Sequence, residues 1–208
     1  MNTSDIDNIM KRTERHAYED GIGEIFWGVL FMLMGLLFFA EATVKPPIPS
    51  FSAVGLIVLC AGGFLLSRWL MPVLKGRLIF PRTGFVAYRQ LKGGRRWTAM
   101  GVAALVASVI AAVVSVVASS SVGLDWVPLA NGLVVGAYLL IFGVRVGLRR
   151  FQFLAGFSGL AGLAAFLAGI GPTLGAAAYF AAIGLALVVD GALALRAYLH
   201  RVPRPEEQ

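Results

Sequence analysis

No charged side chain interrupts residues 151–189, and uncharged, largely apolar runs recur at 46–67 and 98–124. Segments of this kind are costly to expose to water. At 1.5 Å per residue, about 20 of them in a helix cross a hydrocarbon core of about 30 Å. Inside a bilayer the backbone has no water to bond, so each crossing must satisfy its own N–H and C=O groups as a helix. Six stretches qualify, near 25–44, 51–74, 98–118, 126–148, 151–170 and 173–199. The pattern predicts an all-α membrane protein: a single six-helix domain over 25–208, preceded by an N-terminal segment, 1–24. Composition agrees, with 14% charged residues against about 25% in soluble domains.

Helix stops fall where the backbone chemistry requires them. Pro46 and Pro47 end the first span, an Arg149-Arg150 turn separates the fourth and fifth, and Gly171-Pro172 separates the fifth and sixth. Ala40-Glu41-Ala42 resembles a signal-cleavage site, but six acids and three bases precede Ile25. A secretory signal opens with net positive charge, so the first span is read as retained.

Charge then orients the spans. Loop 75–97 carries seven Lys or Arg residues and no acid. If both termini share its side, seventeen of the eighteen bases lie there and only Lys45 lies opposite. Bases are retained on the cytoplasmic side, so the reading is an inner, cytoplasmic membrane with both termini cytoplasmic. The net charge of +7 does not indicate nucleic acid, because the bases sit at helix ends rather than on one binding face. Ahead of the first span, Ile6, Ile9, Met10, Thr13 and Ala17 share one helical face, which predicts an amphipathic helix lying at the interface.

Glycines recur seven residues apart as Gly28/Gly35, Gly55/Gly62, Gly136/Gly143, Gly162/Gly169 and Gly184/Gly191, with GxxxG steps at Gly132/Gly136 and Gly143/Gly147. Two helical turns separate each pair, so each forms a stripe along which another backbone can approach. A compact, glycine-rich bundle is the expectation, packed internally in preference to forming a homo-oligomer.

An ionisable group at membrane depth is the first place to look for function. Asp190 lies about 9 Å deeper than Arg196, and Arg145 about 6 Å deeper than Arg149, at 1.5 Å per residue. Asp190 is therefore expected to pair with Arg145 or Arg68, while Asn131 in the fourth span and the serines Ser108, Ser115 and Ser158 can bond across helices or to their own backbone. Glu24 and Glu41 read as interface residues. Cys60 is the sole cysteine, so no intrachain disulfide forms. No zinc-protease, nucleophile-elbow, phosphate-loop or dinucleotide motif occurs. No cofactor, metal or catalytic residue is assigned.

Within the basic loop, Pro81-Arg82-Thr83-Gly84 has turn chemistry and lies between two short apolar runs, Arg77 to Phe80 and Phe85 to Arg89. A cytoplasmic β-hairpin is predicted, with Arg77 opposite Tyr88 and Phe80 opposite Phe85. Both faces carry apolar groups, which two strands cannot bury alone. Arg77, Phe80, Arg82, Phe85, Tyr88 and Arg89 are accordingly the candidate contacts to lipid or a partner. The string IFPRTGFVAYR resembles the YPRTGYV-x-[YF]-R segment of a family of uncharacterised prokaryotic multi-pass membrane proteins. Its phenylalanines replace the tyrosines beside the turn. The resemblance implies a membrane class and carries no activity.

The functional expectation is a non-enzymatic membrane module that presents a basic cytoplasmic face to anionic inner-leaflet lipid or a protein partner. The alternatives are a small transporter or channel component using Asp190, and a membrane enzyme acting on lipid.

Overall fold

The computed structural model describes residues 19–44, 51–78 and 124–201. These form helices α1 (Ile22–Val44), α2 (Phe51–Leu78), α3 (Val127–Val146, entered through a 3-10 turn at Leu124–Trp126), α4 (Arg149–Leu167) and α5 (Pro172–Arg201). Among the described residues there is no strand. Four stretches are long and apolar enough to cross a membrane: Ile22–Val44, Leu124–Val146, Arg149–Leu167 and Pro172–Arg201. That points to a multi-pass membrane protein. Where the second span is expected lies α2, a helix of 28 residues that is not one of those four. The third span, the N-terminal helix and most of the hairpin (Phe80, Arg82, Phe85, Tyr88 and Arg89) lie outside the described residues.

Three expected boundaries move. Arg77, placed in a strand from sequence, belongs to the last turn of α2 beside Lys75. Cations are favoured there because the helix C-terminus carries partial negative charge. The first helix begins at Ile22 rather than 25, because Asp20 Oδ1 accepts a 3.1 Å hydrogen bond from the Ile22 N–H and satisfies one of the free N-terminal donors. Finally, Arg149 and Arg150 are not a turn. Gly147 takes φ 75° and its N–H bonds the Gly143 carbonyl at 2.8 Å. This left-handed cap stops α3 two residues earlier, and α4 starts at Arg149.

Two antiparallel helix pairs supply the closest backbone approaches. Along α1 and α5, a Cβ built on Gly28 would lie 2.7 Å from the Gly184 carbonyl oxygen, and one on Gly184 would lie 2.7 Å from the Met32 nitrogen. A turn-pair further on, Gly35 meets Ala177 and Ala181 backbone, and a turn-pair back Gly191 meets the backbone of Gly21 and Ile25. Along α3 and α4, Gly132 faces Gly162, Gly136 faces Ala155, and Gly143 faces Phe151. Other glycines named from spacing pack differently. Gly55 receives the Leu37 side chain, while a Cβ at Gly62, Gly147 or Gly169 would meet nothing within 4 Å. Gly147 and Gly169 serve turns, with positive φ.

The interior joins these pairs through Leu30, Met34, Tyr179, Phe180, Ile183 and Leu187, with Phe38 stacked on Phe180 at 5.7 Å. Large apolar side chains also point outward, including Phe153, Ile141, Leu65 and Leu167. A soluble monomer rarely tolerates contiguous exposure on this scale, whereas acyl chains solvate it.

Candidate functional site: a charge cluster at the basic end

Because adjacent helices run antiparallel, one end of the protein gathers the start of α1, the end of α2, the end of α3, the start of α4 and the end of α5. Every Lys and Arg of the described residues lies toward this end: Arg68, Lys75, Arg77, Arg145, Arg149, Arg150, Arg196 and Arg201. The opposite end carries the acids Glu41 and Asp125.

Besides Glu19 at the entry to α1, three acids lie at the basic end, each held in an ion pair. Asp20 Oδ2 is 2.7 Å from Lys75 Nζ, which ties the entry to α1 to the end of α2. Glu24, 4% exposed, accepts a 2.6 Å hydrogen bond from Arg150 Nη2. The same guanidinium places Nη1 3.8 Å from Asp190 Oδ2, an ion pair by distance but beyond hydrogen-bond reach. That Oδ2 atom is buried without a hydrogen-bond partner. Arg150 also sits 5.2 Å over the Phe151 ring, whose edge packs against Phe142 at 5.0 Å. One cation therefore couples α1, α4 and α5.

Sequence depth placed Asp190 in the right layer but against the wrong base. Arg145 and Arg68 are exposed, and the structure gives Asp190 to Arg150 instead. Matching depth along parallel axes does not match facing. Arg145 neighbours the buried Val146 and Gly143 but projects from the other side of α3. Arg150 was hidden by its assignment to a turn, and Glu24 by its assignment to the interface. The signal that could have found Arg150 was Gly147, whose place after the last apolar turn of α3 is a C-cap position.

Asn131 contributes its backbone. Its carbonyl accepts a 3.2 Å bond from the Tyr179 hydroxyl, which also lies 2.9 Å from Ser158 Oγ, while Ser158 Oγ donates to the Gly132 carbonyl at 3.0 Å. Tyr179 and Ser158 are fully buried. Two hydroxyl protons thus serve three contacts joining α3, α4 and α5. Serine makes interhelical bonds of this kind in membranes, and among the described residues the partners of Ser158 Oγ are the Gly132 carbonyl and the Tyr179 hydroxyl, neither of them a base. Among the described residues no group of His, Cys, Asp and Glu assembles to hold a metal ion.

Comparison with family models, with curated proteins and with solved structures gives no match to this chain. Its own residues must carry the functional argument. At the basic end, the acids Asp20, Glu24 and Asp190 are turned inward onto Lys75 and Arg150, whereas Arg68, Arg77, Arg145, Arg149, Arg196 and Arg201 are exposed. The described surface of that end is accordingly rich in arginine, with Asp20, Glu24 and Asp190 paired inside.

Proposed function

We propose that this chain is a six-span protein of a prokaryotic cytoplasmic membrane and works as a non-enzymatic module. Its basic end faces the cytoplasm and offers a cationic surface to anionic inner-leaflet lipid or to a protein partner. The observation that carries the reading is the sorting of charge at that end, with Asp20, Glu24 and Asp190 paired inward and six arginines exposed. Each base near an anionic membrane surface contributes about 1 kcal/mol of attraction, and inward pairing keeps the three acids from cancelling it. The resemblance of the 79–89 segment to a prokaryotic multi-pass family, and the excess of bases in loop 75–97, support the same orientation.

The test uses the purified chain equilibrated in micelles of equal phosphatidylcholine and phosphatidylglycerol and examined by native mass spectrometry. It should retain phosphatidylglycerol in several-fold excess, and the excess should shrink as salt is raised. Equal retention of the two lipids would remove the anionic-lipid reading.

One observation favours a second reading, a small transporter or channel component. Asp190 Oδ2 is buried without a hydrogen-bond partner, in a helix apolar enough to cross a membrane. On this reading Asp190→Asn lowers proton or cation flux in proteoliposomes while leaving helical content intact. Flux equal to a measurable parent flux would exclude Asp190 as the carrier.

A further inference from the structure

Helix α5 outruns its partner. Gly191 packs on the backbone of Gly21 and Ile25, yet α5 continues to Arg201, about 15 Å further at 1.5 Å per residue. Along this overhang Ala192, Leu195, Arg196, Leu199 and His200 recur at the spacing of a single helical face. With Ile25 they line a groove of about 350 Å³ that is open to its surroundings. Ligand sites occupy about 300–1,000 Å³, so the groove has room for part of one acyl chain rather than a whole lipid.

Its lining is chiefly apolar. Ile25, Ala192, Leu195 and Leu199 make an apolar wall, and Arg196 and His200 supply the polar groups. Both are exposed, and neither forms an ion pair with a carboxylate of the described residues. This sets Arg196 apart from Lys75 and Arg150, whose charges are spent on Asp20, Glu24 and Asp190. An arginine stem lies naturally along apolar surface while its head reaches outward. The guanidinium fork matches the two oxygens of a phosphate, and an imidazole N–H can donate beside it.

We infer that this groove seats one anionic phospholipid, its phosphate on Arg196 and His200 and an acyl chain along Ile25, Leu195 and Leu199. The inference rests on the basic-face reading and gives that face one defined lipid position. A soluble acidic peptide would satisfy the cations but would gain little from the apolar wall, so the two-part lining selects an amphiphile.

The test is the same retention measurement in mixed phosphatidylcholine and phosphatidylglycerol micelles. Arg196→Gln with His200→Gln should cut the retained phosphatidylglycerol at least about fivefold, the equivalent of one surface cation or more. Arg145→Gln with Arg149→Gln removes two exposed charges from the same end, outside the groove lining, and should cost clearly less than the Arg196 and His200 pair. Leu195→Trp fills the groove with every charge intact and should also reduce retention. Equal losses from the two charge pairs would overturn the groove while leaving a diffuse basic face standing. Unchanged retention in folded Leu195→Trp would overturn it as well. Absence of any lipid preference in the parent chain would overturn the groove and the basic-face reading together. Arg196 and His200 are exposed, so their variant tests the groove even if Leu195→Trp fails to fold.

Discussion

Arg150→Met should lower the stability of the folded chain by about 3–5 kcal/mol, the cost of leaving a buried charge without its partner. The charge left behind is chiefly that of Glu24, which is 4% exposed and takes its 2.6 Å hydrogen bond from the Arg150 guanidinium. Asp190 loses its cation too, but its side chain is 25% exposed and can turn toward water. The effect should therefore depend on Glu24 much more than on Asp190. In a double-mutant cycle, Glu24→Leu with Arg150→Met should recover most of the loss, because removing both partners leaves no orphan carboxylate. Unfolding titrations in mixed micelles measure each corner of the cycle. A loss below about 1 kcal/mol for Arg150→Met, the value of an exposed pair, would show that water screens the contact and that Arg150 does not hold the three helices together.

The same cluster shows what was legible in the sequence. Four membrane-length helices were visible because an almost uncharged apolar run of that length has few other folded forms, and the runs near 25–44, 126–148, 151–170 and 173–199 each overlap one. Asp190 was found because a lone acid in such a run is conspicuous. Its partner was not, because pairing depends on which way a helix faces, and facing depends on where the helix starts. A shift of the α4 start to Arg149 turns Arg150 from a loop residue into the cation that faces Glu24 and Asp190. The Ser158–Tyr179 contact was only half legible. Serine was marked as a residue that could bond across helices, but nothing in the sequence brings Tyr179, twenty-one positions away, to its hydroxyl. Arg77 failed for a different reason. A short apolar run leading into turn residues imitates a strand, while helix α2, already in progress, needs only one more turn to include Arg77.

Gly184→Val should destabilise the chain by about 1–3 kcal/mol, the usual cost of forcing extra atoms into a packed interior, and Gly28→Val by a similar amount. At Gly184 the first atom of any side chain would lie 2.7 Å from the Met32 nitrogen and 2.8 Å from the Gly28 carbonyl oxygen. Both are backbone atoms, so no side chain can swing aside, and α1 and α5 must separate. Separation carries a wider cost, because the closest approaches recur every seven residues from Gly191 through Gly184 to Ala177. Moving the helices apart at the centre weakens the contacts at both ends. In lipid that loss is not offset by a hydrophobic drive, since acyl chains are as apolar as leucine and close packing supplies much of the association. The control is Gly156→Ala in α4, where a Cβ meets nothing within 4 Å. It should be neutral or stabilising by up to about 1 kcal/mol, the helix-propensity difference between the two residues. Paired unfolding measurements decide the matter: comparable effects at Gly184 and Gly156 would show that the α1–α5 approach does not depend on the absence of a side chain.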